Sequence, residues 1–249
     1  MNRKKNYNEY HFRAKDWIIF GLMGLGKIAI IAYLFFDSLK AIFFILPLIG
    51  IDYKSMKKEK IEEQKQSFTK QFRSMMEAIV TSLNAGYSLE YSFVDARRDL
   101  QLIYSEKEDI FREIDLFLEG IKMNMPVEEL MKDLGKRSGV QDIKNFANVI
   151  LVAKRNGGNL MHIIDKTVKN IIDKASVEEE IKTMIAAKKL EEKIMMVMPY
   201  GIIFYLRMTS GELLQVLYHN LLGVVLMATF LLMIYLADFW AKKIMEIRV

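Results

Sequence analysis

The feature that most constrains this chain is where its apolar residues lie. They crowd into the two ends and leave a charged middle whose apolar residues recur at helical spacing. From Trp17 to Phe36 the sequence is apolar apart from Lys27, a stretch close to the roughly 20 residues a bilayer core requires. Leu39 to Ile51, Ile194 to Leu206 and Leu221 to Ala237 are apolar as well. A chain partitioned in this way folds in two solvents, with its ends in hydrocarbon and a centre of about 140 residues, long enough for its own core, in water. No segment sustains period-2 alternation, which makes a sheet improbable. The expected class is all-α: a membrane protein with about four transmembrane helices, two N-terminal and two C-terminal, around a cytoplasmic six-helix bundle.

The expected segments are a polar flank over 1–16, a transmembrane hairpin over 17–53, the helical body over 54–193, a second transmembrane pair over 194–241 and a basic tail over 242–249. Two of the spans are short. Leu39 to Ile51 carries Pro47 and Ile194 to Leu206 holds Pro199 and Gly201, so each either crosses or dips in and out. No small-residue cleavage site follows the first apolar run, which therefore reads as an uncleaved anchor. Basic residues flank the spans at Arg3, Lys4 and Lys5, at Lys54, Lys57, Lys58, Lys60 and Lys65, and at Lys242, Lys243 and Arg248. By the positive-inside rule both termini and the body face the cytoplasm. The outer turns are then Asp37 to Lys40 and Arg207 to His219.

The formal charge is +5. Because the basic residues crowd beside the apolar spans rather than on one reading element, the expected anionic partner is membrane lipid and not nucleic acid. The chain has no Cys, and its three histidines, His11, His162 and His219, are scattered. That leaves no disulfide framework and no zinc cluster, and no cofactor is expected.

The middle reads as consecutive helices. Phe68, Phe72, Met75, Met76, Ile79, Val80 and Leu83 form one apolar face, stopped by Asn84-Ala85-Gly86. Ser88 caps a second helix carrying Leu89, Phe93, Ala96 and Leu100. Ser105 and Glu108 make a capping box for a third with Ile110, Ile114, Phe117, Leu118 and Ile121. Pro126, suited to a first helical turn, opens a fourth with Val127, Leu130, Met131 and Leu134. Ser138 and Gln141 cap a fifth with Ile143, Phe146, Ala147 and Ile150, ending at Asn156-Gly157-Gly158. The sixth helix runs from Asn159 to Lys193 with Leu160, Ile163, Ile164, Val168, Ile171, Ile172 and Ala175 on one stripe, and leads straight into Ile194. Unbroken it reaches roughly 50 Å. Ser176 and Glu179 form a capping-box pattern, so the rod is either straight or bent there. Gly86-Tyr87-Ser88-Leu89 and Gly158-Asn159-Leu160 are either two related hairpin starts or ordinary helix punctuation.

Chemistry-bearing patterns are few. Gly21 to Lys27 fits the opening of a phosphate-binding loop, but Ile28 stands where a magnesium-binding hydroxyl belongs. Gly24, Gly26 and Ala29 mimic a dinucleotide fingerprint with no strand around it; as small residues in a membrane helix they suit close helix approach. Lys27 either snorkels from an offset span or contacts a group on another membrane helix. No nucleophile–base set, paired catalytic carboxylates or zinc-protease motif is present, so no enzymatic activity is expected.

The segments SLNAGYSLEYSF (81–92), EGIKMNMPVEELMKDL (119–134) and NGGNLMHIIDKTVKNI (156–171), followed by an apolar tail with Pro199, resemble the type II secretion system F domain. The nearest branch is that of TadB-like proteins of tight-adherence (Flp) pilus machinery. The matching positions are Ala85, Gly86, Ser88 and Leu89; Gly120, Pro126 and Leu130; and Gly157, Gly158, Asn159 and Leu160. The short third span and Lys27 depart from the pattern. The resemblance implies structural rather than catalytic motifs, in a non-catalytic platform protein of the bacterial inner membrane. Implied partners are a cytoplasmic TadA-like secretion ATPase, a TadC-like membrane protein, pilin subunits and further copies in a homo- or hetero-oligomer. Competing classes are a membrane-anchored scaffold or signalling protein, whose sensory outer region these short turns lack, a small transporter using Lys27 and Asp238, and an ATPase.

Overall fold

A computed structural model describes residues 4–9, 14–37, 49–155, 160–218 and 220–245. Among them every regular element is a helix. In chain order these are α1 (Ala14–Phe36), α2 (Ile49–Asn84), α3 (Leu89–Gln101), α4 (Asp109–Lys122), α5 (Val127–Ser138), α6 (Gln141–Arg155), α7 (Leu160–Thr209), α8 (Gly211–Tyr218) and α9 (Leu221–Met245). The chain divides into two compact units, one of Met1–His11 with Met56–Val177, the other of Phe12–Ser55 with Glu178–Val249.

The first unit is an antiparallel helical body around one core. Phe68, Phe72, Met75, Met76, Ile79 and Leu83 of α2 are buried against Phe93 and Leu100 of α3, Ile114 and Phe117 of α4, Met131 and Leu134 of α5, and Phe146 and Ile150 of α6. The α7 stripe contributes Ile164, Val168 and Ile171, while Ile163, expected on it, is 37% exposed. Specific pairs set the packing: Phe93 stacks on Phe117 at 4.9 Å, and Phe72 meets Phe146 edge-on at 6.0 Å. Their registers alternate the helix directions. The reversals at 85–88 and 123–126 therefore lie at one pole, and those at 102–108 and 139–140 at the other.

Helix ends differ from several expected caps. Ser88 behaves as expected, its hydroxyl accepting the Tyr91 N–H at 3.2 Å. At α4 the Ser105–Glu108 box is not used: Glu108 precedes the helix without a side-chain cap bond, and Gln71 from α2 accepts the Ile110 N–H at 3.2 Å instead. Ser138 closes α5 rather than capping α6, because Gly139 in the left-handed region (φ 66°) turns the chain immediately after it. Pro126 stands just before α5, with φ −62° and ψ 134°. At Ser176 the hydroxyl donates back to the Ile172 carbonyl at 3.1 Å; a side chain spent in that way cannot cap a new helix, and α7 runs on unbroken, through Pro199, to Thr209.

In the second unit Ile28, Ile31, Ala32, Leu34 and Phe35 of α1 are buried with Met227 and Leu231 of α9, flanked by Tyr200 and Ile203 of α7. Its outward residues are largely apolar: Leu22, Met23, Phe230, Met233, Phe239 and Trp240 are all more than half exposed. Leu222–Ala241, of mean hydropathy 2.2, is the one helix among the described residues long and apolar enough to cross a membrane; Gly21–Phe36 is apolar but shorter. The expected span 39–51 lies almost wholly outside the described residues, and Ile194–Leu206 is the end of α7 rather than a separate element. The expected outer loop at Arg207 to His219 contains α8. Among the described residues nothing approaches a Cβ built on Gly21, Gly24 or Gly26 within 4 Å, so none of them makes the close helix approach expected at those glycines. It is made at Gly223, where a Cβ would overlap the Leu217 backbone.

Gly120 tests the packing of the first unit. A Cβ there would stand 2.7 and 2.8 Å from the two methyls of Leu130. Gly120→Val is expected to destabilise the full chain in detergent by about 1–3 kcal/mol by denaturant titration, as overpacked cores do, and to cost less when Leu130→Ala is also present.

Candidate functional site

The residues of the family-like motifs converge on one pole of the first unit. There α2 ends in a paired reversal: the Tyr87 N–H donates to the Ser82 carbonyl at 3.2 Å and the Gly86 N–H to that of Leu83 at 2.9 Å. This closure needs a left-handed residue, supplied by Gly86 at φ 90°, which carries no Cβ penalty. Ala85 donates to the Thr81 carbonyl at 3.1 Å. Ser88 then caps α3, and Leu89 enters the core. The end of α4 repeats the closure with Asn124 (φ 59°) in the glycine's place: Met125 N–H donates to Gly120 at 2.9 Å and Asn124 N–H to Ile121 at 2.9 Å. Pro126 follows directly, and Leu130 lies over Gly120. Gly157, Gly158 and Asn159 lie outside the described residues; Leu160 begins α7.

Around these structural residues stands a group that periodicity could not single out. Tyr87, Tyr91, Met123 and Met125 are 51%, 41%, 73% and 41% exposed, and the two tyrosine rings pack at 4.8 Å. Glu90, Glu119 and Glu129 are exposed beside them.

At the opposite pole the N-terminal segment is clasped into the body. Tyr7 is fully buried, its ring stacked on Phe68 at 4.2 Å and its hydroxyl donating to Glu113 at 3.0 Å. Glu113, also fully buried, receives a two-pronged pair from Arg137, at 2.8 and 2.7 Å, the geometry in which arginine binds carboxylate best. Arg137 reaches further, to Asp133 at 2.8 Å and to the Lys5 carbonyl at 3.1 Å. Lys4 pairs with Asp133 at 3.0 Å and Lys5 with Asp109 at 2.6 Å. A Cβ on Gly139 would overlap Asn8. Burial, reinforced by the Glu113 charge, pushes the Tyr7 phenol far above its ordinary range. Burial would raise the Asp133 carboxyl too, but hydrogen bonds from Lys4 and Arg137 outweigh it and hold that carboxyl below its usual value. Burial alone would lower Arg137, yet its bonds to Glu113 and Asp133 raise it.

In the second unit Arg207 lies 3.7 Å over the Tyr33 ring, pairs with Asp37 and donates to the Tyr33 carbonyl. Tyr218 donates to the Leu34 carbonyl at 2.6 Å. The ends of both expected outer turns thus meet in one polar knot. Lys27 lies 5.7 Å from the centroid of the Tyr235 ring on α9, one turn before Asp238. Among the described residues no group of acidic, His or Cys side chains is set to hold a metal ion.

The clasp gives two expected outcomes. Arg137→Met strands a buried carboxylate and should destabilise by about 3–5 kcal/mol, with Glu113→Gln in the same chain recovering a large part. Because the folded Asp133 value is depressed, its contribution is present above the unfolded value and lost as pH falls through the folded one. Proteolysis at Lys4 and Lys5 should accelerate below about pH 4, the ordinary aspartate range. No family model, curated protein or solved structure matches this chain.

Proposed function

We propose that this chain is a non-catalytic inner-membrane platform protein of a Tad/Flp-type pilus or a type II secretion-like machine, coupling a cytoplasmic TadA-like ATPase to the assembly or export of pilin subunits beside a TadC-like partner. The observation that carries the reading is the convergence of the motif residues. Gly86, Ser88, Gly120, Pro126 and Leu130 are separated by up to 44 positions yet build two adjacent reversals at one pole. They act there as formers of backbone shape and hold no reactive group, as a platform requires and an enzyme does not.

Chain course supports a multi-pass arrangement with both termini in the cytoplasm. The chain leaves the first unit after His11 and returns to it at Met56. If the intervening segment enters the bilayer, it crosses an even number of times. The Arg207–Asp37 pair favours putting the two expected outer turns on one face, and the outward apolar residues of α1 and α9 suit contact with lipid. Four spans with basic flanks against anionic headgroups satisfy all of these. The short outer turns leave no room for a sensory region, which disfavours the receptor reading.

Site-specific photo-cross-linking from the first unit in assembling cells should capture the cognate secretion ATPase; no adduct from any position would sink the motor-docking role. Reporter fusions should be active in the cytoplasm at Gly86 and outside it at Ser210. The reverse pattern would overturn the topology.

A further inference from the structure

We infer that the Tyr87–Tyr91–Met123–Met125 patch, rimmed by Glu90, Glu119 and Glu129, is the surface on which the first unit receives a cationic, apolar-tipped segment of the secretion ATPase. The inference rests on the platform reading and deepens it by naming the surface and the chemistry of what it binds.

The four apolar side chains belong to one pole by register. Phe93 stacks on Phe117 and Arg97 pairs with Asp115 at 2.7 Å, so α3 and α4 run antiparallel. Tyr87 precedes the α3 cap, beyond Phe93, and Met123 follows α4, beyond Phe117, so both belong to the end of this helix pair at which the two reversals lie. The main chain holds them there: Met123 and Met125 both donate to the Gly120 carbonyl, at 3.0 and 2.9 Å, and Tyr87 closes the reversal at Gly86. The scaffold is rigid, and the side chains it presents are of the adaptable kind. Methionine reshapes to its partner, and tyrosine offers a large apolar area with a polar tip. Tyr87 is still 51% exposed beside the Tyr91 ring and Met123 is 73% exposed, so packing within the unit leaves apolar area over.

The rim supplies the sign of the partner. Glu90 and Glu129 lie in the first turns of α3 and α5, where a carboxylate also complements the helix dipole. Glu119 does not fit that explanation. It lies in the last turn of α4, where the dipole disfavours a negative charge, and it is exposed. None of the three has an ion pair among the described residues, and Lys122 is the one described cation in the turns that carry the patch. Carboxylates left at a helix end and beside an apolar patch are matched by an incoming Lys- or Arg-bearing segment, which they steer and orient.

The full-length chain in lipid nanodiscs, titrated with the purified cognate secretion ATPase, tests this directly. Tyr87→Ser with Met123→Ser should weaken binding about tenfold or more, as loss of central anchors does. Glu90→Lys, Glu119→Lys and Glu129→Lys together should weaken it by at least a comparable factor and reverse the salt dependence shown by the wild type. Leu102→Ser with Ile103→Ser, also exposed but at the opposite pole, should leave binding unchanged. All variants are surface changes, and an unaltered thermal transition verifies their folding. If the wild type binds and the Tyr87, Met123 and rim variants bind equally well, the surface assigned here is wrong while the platform reading stands. If the wild type does not bind, both are overturned.

Discussion

A carboxylate with no exposure to water is the constraint on which the first unit turns. Glu113 is fully buried, and in such a place an isolated charge costs several kcal/mol even after relaxation. Its neutralisation recruits three parts of the chain at once. Arg137 comes from the far end of α5, Tyr7 from the N-terminal segment, and the Lys5 carbonyl takes a remaining guanidinium donor. Once Arg137 is fixed, its own carbonyl becomes the acceptor for Tyr7 N–H at 3.0 Å and Asn8 at 3.3 Å. Geometry is thus specified for a segment that has too few residues to fold alone. A buried pair of this kind adds little net stability compared with apolar packing, but it penalises every arrangement that leaves one partner behind.

The clasp makes the N-terminal residues part of the helical body. The opposite pole is governed by a different necessity. Each helix that ends there has carbonyls to satisfy within two or three residues before the chain reverses. Gly86 and Asn124 meet it by adopting the left-handed conformation that lets two N–H groups fold back on the last turn. Gly120 leaves room for Leu130, so the second reversal nestles against α4. The result is a pole whose backbone is tied down while Tyr87, Met123 and Met125 keep exposed apolar area. Such a combination suits recognition, since little ordering remains to be done on binding.

Much of the first unit was legible in the sequence, because amphipathic spacing is a statement about one helix and its buried face. The α2 stripe from Phe68 to Leu83 follows from that spacing alone, as does the Gly86 stop. Cap assignments fared unevenly for a physical reason. A Ser followed three residues later by Glu or Gln satisfies the local pattern, but Gln71 reaches α4 from another helix, a competitor 39 positions from Ile110 that no local pattern contains. Ser176 likewise had a cheaper partner in the Ile172 carbonyl. Tyr7 escaped notice because a lone aromatic in a polar, basic segment has no periodicity to report it; its role exists only through Phe68, Glu113 and Arg137. Tyr87, Tyr91, Met123 and Met125 were hidden in the same way, since side chains that stand outside the buried stripe of a helix leave no period.

The second unit obeys the inverse arrangement, which separates two kinds of polar residue within apolar sequence. Arg207 contacts the Tyr33 ring and carbonyl, Asp37 and the nearby Tyr218 ring. That guanidinium holds the end of α7 to the end of α1, with Asp37 supplying the opposite charge. Lys27 is different. Its ammonium, on an exposed stretch of α1, faces the Tyr235 ring of α9, a cation–π contact between two apolar helices. In hydrocarbon such a charge is held by groups on neighbouring helices or reaches toward the headgroups. The first residue therefore fastens the ends of two apolar helices through a charge pair, whereas the second links α1 to α9 through an aromatic ring.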